Sequence, residues 1–515
     1  MHAAEVEQMY KRHSGQISML ESPEMFGGLP LNSKNEWVRL SHMIPWAEFE
    51  ERYAEQFKSR KGQPGCPARM ALGALLIKER NGFSDDDVVA HLAMNPYYQY
   101  FIGLREYRYE APFDASMLTR FRQRITPEML SWINDRITGR DQGATPDGSG
   151  DSGSSGSDGG SGECENVSSA AEPQTENEGT LILDATCAPQ NIRFPTDTSL
   201  LNEARENAEE IIDMLHAAGL TDGKKPRTYR EKAKKEYNAF SKSRKKSKKA
   251  IRRITRRLLG YLGRDVQYIL RIRENHPGCL AKVLPKKKLE RLAAIMVLYG
   301  QQKEMYETKT HHIANRIVSL SQHWVRPIVR GKQNADVEFG AKVEMSVVDG
   351  YLRVEDLRWD AYNESTTLQA SAESYRRAYG HYPARILADT IFRTRENRRY
   401  CKEHGIRMNG PRLGRRFKDD SACREERKLE WLESGERGEI ERDFGVGKRR
   451  YSLDCITTKL KHTSEVAVGL VVLTMNLWRR LRLLFARTLR MLIRAWKRAL
   501  RGFFDSLGLA EDVAA

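Results

Sequence analysis

The amino-acid sequence predicts an α/β protein with an all-helical region ahead of it. Up to residue 139, apolar side chains recur at helical spacing, and from residue 179 short apolar runs that end in an acid alternate with helical stretches. Between the two lies a tract, residues 140–178, of Gly, Ser, Asp and Glu with almost nothing apolar. Such a tract cannot recover the entropy cost of folding and reads as a flexible acidic linker.

In the first region, Leu72, Leu75 and Leu76 place a helix over 71–79, and Gly82-Phe83-Ser84 breaks it. Ser84 and Asp87 have capping-box spacing and start a second helix over 85–94, which Asn95-Pro96 ends. Two helices joined by a short glycine turn form a helix-turn-helix-like unit, a DNA-binding candidate that is also common in plain bundles. A further helix follows Ser116 and carries Arg120, Arg122 and Arg124 as candidate DNA contacts, and Thr126-Pro127 starts the next.

In the second region, Leu181-Ile182-Leu183 reads as a buried strand with Asp184 at its tip. From about 199 to 325 the pattern is helical, with one stripe of Ile251, Ile254, Leu258 and Leu262 and another of Leu289, Leu292, Met296 and Tyr299. Strands over 343–348 and 351–357 flank Asp349-Gly350, a favoured two-residue hairpin turn. A helix over 366–379 precedes a second buried strand, 384–388, ending in Asp389. Helices follow from residue 395 and around 436–448, and residues 466–515 form an Arg-rich amphipathic C-terminal helix.

The net charge is +17, and residues 224–257 hold 17 basic residues against only Glu231 and Glu236, so one segment carries most of it. Such a block attracts a polyanion. Lys245, Lys246, Lys248, Lys249, Arg252, Arg253 and Arg256 are its candidate DNA contacts, the alternative being a solvated charged face. The seven cysteines are scattered without a CxxC pair, which supports neither a zinc ribbon nor a redox dithiol and fits a reducing compartment. Residues 444–448 lack phosphate-loop spacing, and His311-His312 has no ligand partner at metal spacing. The N-terminus lacks a signal-peptide core, and the most apolar run, 466–478, is about 13 residues where a spanning helix needs roughly 20. The expectation is a cytoplasmic, nucleoid-associated protein with no membrane partner.

Asp184 and Asp389 each follow a short apolar strand. Taken singly, each is most simply a turn or cap aspartate. Two such acids, with a glutamate on a later helix, form a set of hard oxygen ligands suited to Mg²⁺. Residues 437–448 add Arg437, Glu441 and Lys448 at R-x3-E-x6-K spacing. This resembles the Y-x2-R-x3-E-x6-K signature of the DDE transposases of bacterial insertion sequences, with Ser434 at the tyrosine position. The stretches around Asp184, 331–365, 384–414, 65–89 and 113–125 are similar to the same family in the same order, and the likeness covers most of 30–475 apart from the linker.

The resemblance implies an RNase H-like catalytic core, a mixed sheet flanked by helices, over 179–465 with a helical basic insertion at about 199–325. It implies that Asp184, Asp389 and Glu441 hold two Mg²⁺ or Mn²⁺ ions, and that the protein cuts DNA at transposon ends and joins the freed 3′-hydroxyl to a target. Lys448 and Arg437 are then expected on DNA phosphates, with an i,i+4 surface pairing as the simpler alternative for Arg437. Residues 1–139 would bind DNA, and at least a dimer would bring two ends together. Two alternatives stay open: a nuclease of the same fold that does not join, and a decayed, DNA-binding relative.

Overall fold

A computed structural model of the protein describes residues 10, 22–57, 65–140, 176–221, 223–332, 335–360, 362–411 and 420–506. The acidic tract predicted as a linker lies outside the described residues except at its two ends.

Among the described residues the N-terminal region holds seven α-helices: α1 (Glu36–Ser41), α2 (Trp46–Ala54), α3 (Ala68–Asn81), α4 (Asp85–Met94), α5 (Pro96–Phe101), α6 (Ser116–Arg124) and α7 (Pro127–Thr138). Helix α3 is their hub, with Ala71, Leu72, Leu75, Leu76 and Ile77 fully buried. It ends at Gly82, whose φ of 68° suits a residue without Cβ. The Ser84–Asp87 capping box forms as predicted and starts α4. Asn95-Pro96 ends α4, but it also begins α5. The Asn95 side chain accepts the Tyr97 amide at 2.9 Å, and Pro96 takes the first helical position, where a missing N–H costs nothing. Thr126 caps α7 by accepting from the Met129 amide.

The sheet is mixed. Strands β1 (Thr180–Pro189), β2 (Arg326–Lys332), β3 (Ala335–Val348), β4 (Tyr351–Arg358), β5 (Arg385–Ala388) and β6 (Arg407–Met408) run in the order β2-β3-β1-β5-β6, with β4 also paired to β3. The pairs β1–β3, β2–β3 and β3–β4 are antiparallel, whereas β1–β5 and β5–β6 are parallel. Asp349 and Gly350, with φ of 50° and 79°, make the predicted hairpin turn between β3 and β4. Both faces of β1 are covered, since Ile182 and Ala188 join one buried cluster and Leu181 and Leu183 another. One face packs on α13 (Leu368–Tyr379) and α14 (Arg395–Glu403), and the other on α15 (Asp420–Arg450) and α16 (Lys461–Ser506).

Between β1 and β2 the chain forms α8 (Asp197–Ala217), α9 (Arg230–Lys242), α10 (Lys248–Asn275), α11 (Cys279–Val283) and α12 (Lys286–Thr308), which share their own apolar cluster. Ile254, Leu258 and Leu262 are buried there as predicted. Ile251 is 39% exposed, because the first turn of α10 lies outside the cluster.

Helix α16 corrects the reading of an amphipathic tail. Over 466–478 it is core on both sides: Val466, Leu470, Leu473 and Leu477 pack on the N-terminal helices, while Val468, Val471 and Val472 pack on the sheet. Only beyond this stretch does the basic, amphipathic helix begin, with Leu484, Phe485, Met491, Leu492 and Trp496 exposed. A buried polar node locks the same junction. The Asn134 and Asn476 amides donate to the Leu352 carbonyl at 3.1 and 2.7 Å, and Asn476 also donates to Asn134 Oδ1 at 2.7 Å.

Candidate active site

The parallel register of β1 and β5 builds the site. Leu183 pairs with Ala388, so the next residue on each strand is an acid, Asp184 on β1 and Asp389 on the chain leaving β5. The expectation that Asp184 ends its strand is wrong, since β1 continues to Pro189 against β3. It is β5 that stops, and its end opens space beside Asp184. Asp389 fits the expectation: it follows β5 directly and accepts the Thr390 amide at 2.7 Å as the cap of a short turn.

Helix α15 brings the third group. Ile440 and Phe444 bury its inner face against the sheet, and Arg437, Glu441 and Lys448 fall along one flank of that face, as their spacing of four and seven requires. Arg437 does not reach outward. Its guanidinium lies 3.0 Å from Glu441 Oε1 and 4.0 Å from Asp184 Oδ2. The i,i+4 pairing is therefore present, with a second acid added from another element. Lys448 is half-buried two turns on, and Ser434 is exposed.

The electrostatics mark Asp184 as the unusual member. Burial pushes its carboxyl up to about 6; the Ala185 amide and Arg437 pull it down, while Glu364 and Asp389 push it further up. Glu364 is a neighbour that the sequence reading did not single out. It sits on an Asn363-capped turn after β4 and pairs with Lys342 at 2.8 Å. Glu344, paired in register with Ala185, lies on the opposite sheet face, where it accepts from Ser371 at 3.3 Å and burial raises it to about 7. Strand alternation keeps it out of the Asp184 cluster. Among the described residues, no three acids, histidines or cysteines stand close enough to hold one metal ion. Asp184 and Asp389 are adjacent, and Arg437 stands between Asp184 and Glu441.

Comparison with known families adds to this geometry. A family described as Transposase DDE domain matches residues 386–478, which include Asp389, Arg437, Glu441 and Lys448, and a second, described as Transposase domain, matches residues 29–124. The two matches, in this order along the chain, indicate a DDE transposase of an insertion sequence. An uncharacterized protein, ORF8 of the nfe locus in Rhizobium meliloti, is 37% identical over 100 residues, 19% of this chain and 48% of that protein, so the chain spans about half the length of the curated relative it matches. No solved structure matches the chain.

The basic residues predicted to touch DNA divide into two sets. Arg122 is a correction: it is 7% exposed and makes a two-pronged ion pair with Asp85, at 3.1 and 2.5 Å, that fastens α6 to α4. Arg124 lays its guanidinium over the Phe57 ring at 4.4 Å. Of the α6 arginines only Arg120 is exposed. Lys245, Lys246, Lys248, Lys249, Arg252, Arg253 and Arg256 are all exposed, around the turn from α9 into α10. Among the described residues, no helix is long and apolar enough to cross a membrane.

Proposed function

We propose that this transposase binds the ends of its element and carries out metal-dependent strand cleavage and 3′-hydroxyl strand transfer, with Asp184, Asp389 and Glu441 as the ligand set. The β1–β5 register carries the reading, because it brings acids from two distant segments side by side where β5 stops. The donor chemistry fits Mg²⁺ or Mn²⁺: the set is all carboxylate oxygen, and Asp184 is half-buried among other acids, so its ionised form gains from a cation. Bound there, two such ions would supply Lewis-acid stabilisation to the attacking and leaving oxygens of a phosphodiester.

The protein's own groups do the rest. The mixed sheet between α13–α14 and α15–α16 is read as an RNase H-like catalytic core, with α8–α12 as its insertion and α1–α7 as a DNA-binding unit. The exposed lysines and arginines from Lys245 to Arg256 track phosphates, which positions DNA without reading its sequence. Lys448 lies on the flank of Glu441 and is placed to take a phosphate beside the acids. Two ends held together require at least two copies.

The test is strand cleavage and joining with Mg²⁺ or Mn²⁺ on DNA flanking the gene. Substituting Asp184, Asp389 or Glu441 by Ala is expected to remove joining by well over the roughly 10²-fold that a lost outer-shell partner costs, with DNA binding retained. A variant that keeps most of its joining loses its place in the ligand set, and cleavage without joining by the wild type would leave a nuclease.

A further inference from the structure

An exposed i,i+4 pair on a helix needs two residues. Arg437 uses three. Its guanidinium spans from Glu441 Oε1 on α15, at 3.0 Å, to Asp184 Oδ2 on β1, at 4.0 Å. Glu441 is 55% exposed, Arg437 24% and Asp184 17%, so the guanidinium sits half-buried between an exposed acid that it pairs closely and a more buried one at the outer limit of ion-pair distance. The fold has gathered like charges around Asp184, including Asp389 and Glu364, and a cation between them lowers their mutual repulsion.

We propose that Arg437 is a placeholder cation that holds Asp184 and Glu441 in the metal-free protein and moves to a DNA phosphate when DNA binds, freeing both carboxylates for divalent metal. The proposal rests on the reading of these acids as metal ligands. Arginine and metal compete for the same sites. Arg437 pairs with one oxygen of Glu441 and faces one of Asp184, so a divalent ion that draws on those two oxygens competes with it by charge and by space. The planar fork that suits two carboxylates suits a phosphate equally well, so an arriving DNA backbone offers Arg437 an alternative partner. Metal and DNA binding are then coupled, and the coupling acts equally in both directions. Arg437 is a positioning residue in this scheme, and the metal site is uncovered only where there is DNA to cut.

The experiment measures Mn²⁺ affinity of the full chain by the loss of the free-ion EPR signal. It is run with and without a duplex carrying the element's end, and Mn²⁺ bound by the duplex alone is subtracted. Wild type, Arg437→Gln, Arg437→Lys and Asp184→Asn are compared, each with a thermal melt as a check on folding. Without DNA, Arg437→Gln is expected to bind Mn²⁺ at least about fivefold more tightly than wild type, within the usual range of coupling between sites. DNA should tighten Mn²⁺ binding to the wild type by a similar factor and leave Arg437→Gln nearly unchanged, with Arg437→Lys in between. Equal affinity of wild type and Arg437→Gln without DNA, or an undiminished DNA effect in Arg437→Gln, overturns the placeholder role while Asp184→Asn still shows where the metal binds. If Asp184→Asn binds Mn²⁺ as the wild type does, with DNA and without, the metal-ligand reading itself fails and takes the proposal with it.

Discussion

Helix α6 and the junction of α9 with α10 look alike as sequence, since each packs several basic residues into a short stretch. In the folded protein they behave in opposite ways. On α6, Arg122 is consumed by Asp85 and Arg124 by the Phe57 ring, so the charge serves to fasten helices together. At the α9–α10 junction, Lys245, Lys246, Lys248 and Lys249 are exposed in the turn where α10 begins. Lysines at a helix N-terminus are disfavoured by the helix dipole, so stability alone does not account for them there. Basic composition therefore measures potential for DNA binding, and only the partners of each side chain say whether that potential is available.

The sharpest way to break this comparison is at Arg122. Arg122→Ala leaves Asp85 with only Lys78 and is expected to cost about 2–4 kcal/mol, toward the lower end for a broken buried pair because Asp85 keeps some exposure. The check is a denaturant melt. Destabilisation near zero with weakened DNA binding would return Arg122 to the DNA-contact set.

The converse experiment replaces Lys245, Lys246, Lys248 and Lys249 together by Ala. Unfolding should be unchanged, while the slope of log affinity against log salt becomes shallower by up to about 3 to 4, one counterion release for each phosphate that is no longer neutralised. An unchanged slope would leave the block as a solvated face.

A smaller effect separates the acids of the site from ordinary surface acids. Asp184 has its carboxyl raised from 3.8 to about 6 in the folded protein, so the folded state holds its proton more tightly than the unfolded one. The resulting stability is fully present below about pH 4 and is lost as pH rises through 6. In metal-free buffer at pH 8, Asp184→Asn should therefore stabilise the protein by about 1–3 kcal/mol, and the gain should vanish near pH 4. Thermal melts across that range check the sign, and a destabilised Asp184→Asn at pH 8 would contradict it.

Local chemistry was legible wherever a few neighbouring residues decide the outcome. The Ser84–Asp87 box, the Asp349-Gly350 hairpin and the proline-started α7 form as their sequences predict, because capping and turn geometry are settled within four residues. The strand preceding Asp389 was legible for the same reason. Two things were misread, each because a distant partner decides it. Asp184 reads as a strand end because its apolar run stops there, yet β3 carries β1 on to Pro189. Residues 466–478 looked like the start of a tail, but their apolar side chains fill the seam between the N-terminal helices and the sheet. The pairing of Arg437 with an acid on β1 was not legible at all, because Asp184 lies in a distant segment of the chain.

By itself, then, the sequence determined the helical and strand segments, the concentration of positive charge and the three acids with their spacing. These follow from periodicity and from contacts within a turn or two. Only the tertiary structure decided that Asp184 and Asp389 stand side by side, that Arg437 occupies the gap to Glu441, and which basic side chains stay exposed. Those outcomes depend on strand register and on which faces bury each other, and both are set by the packing of segments far apart in the chain.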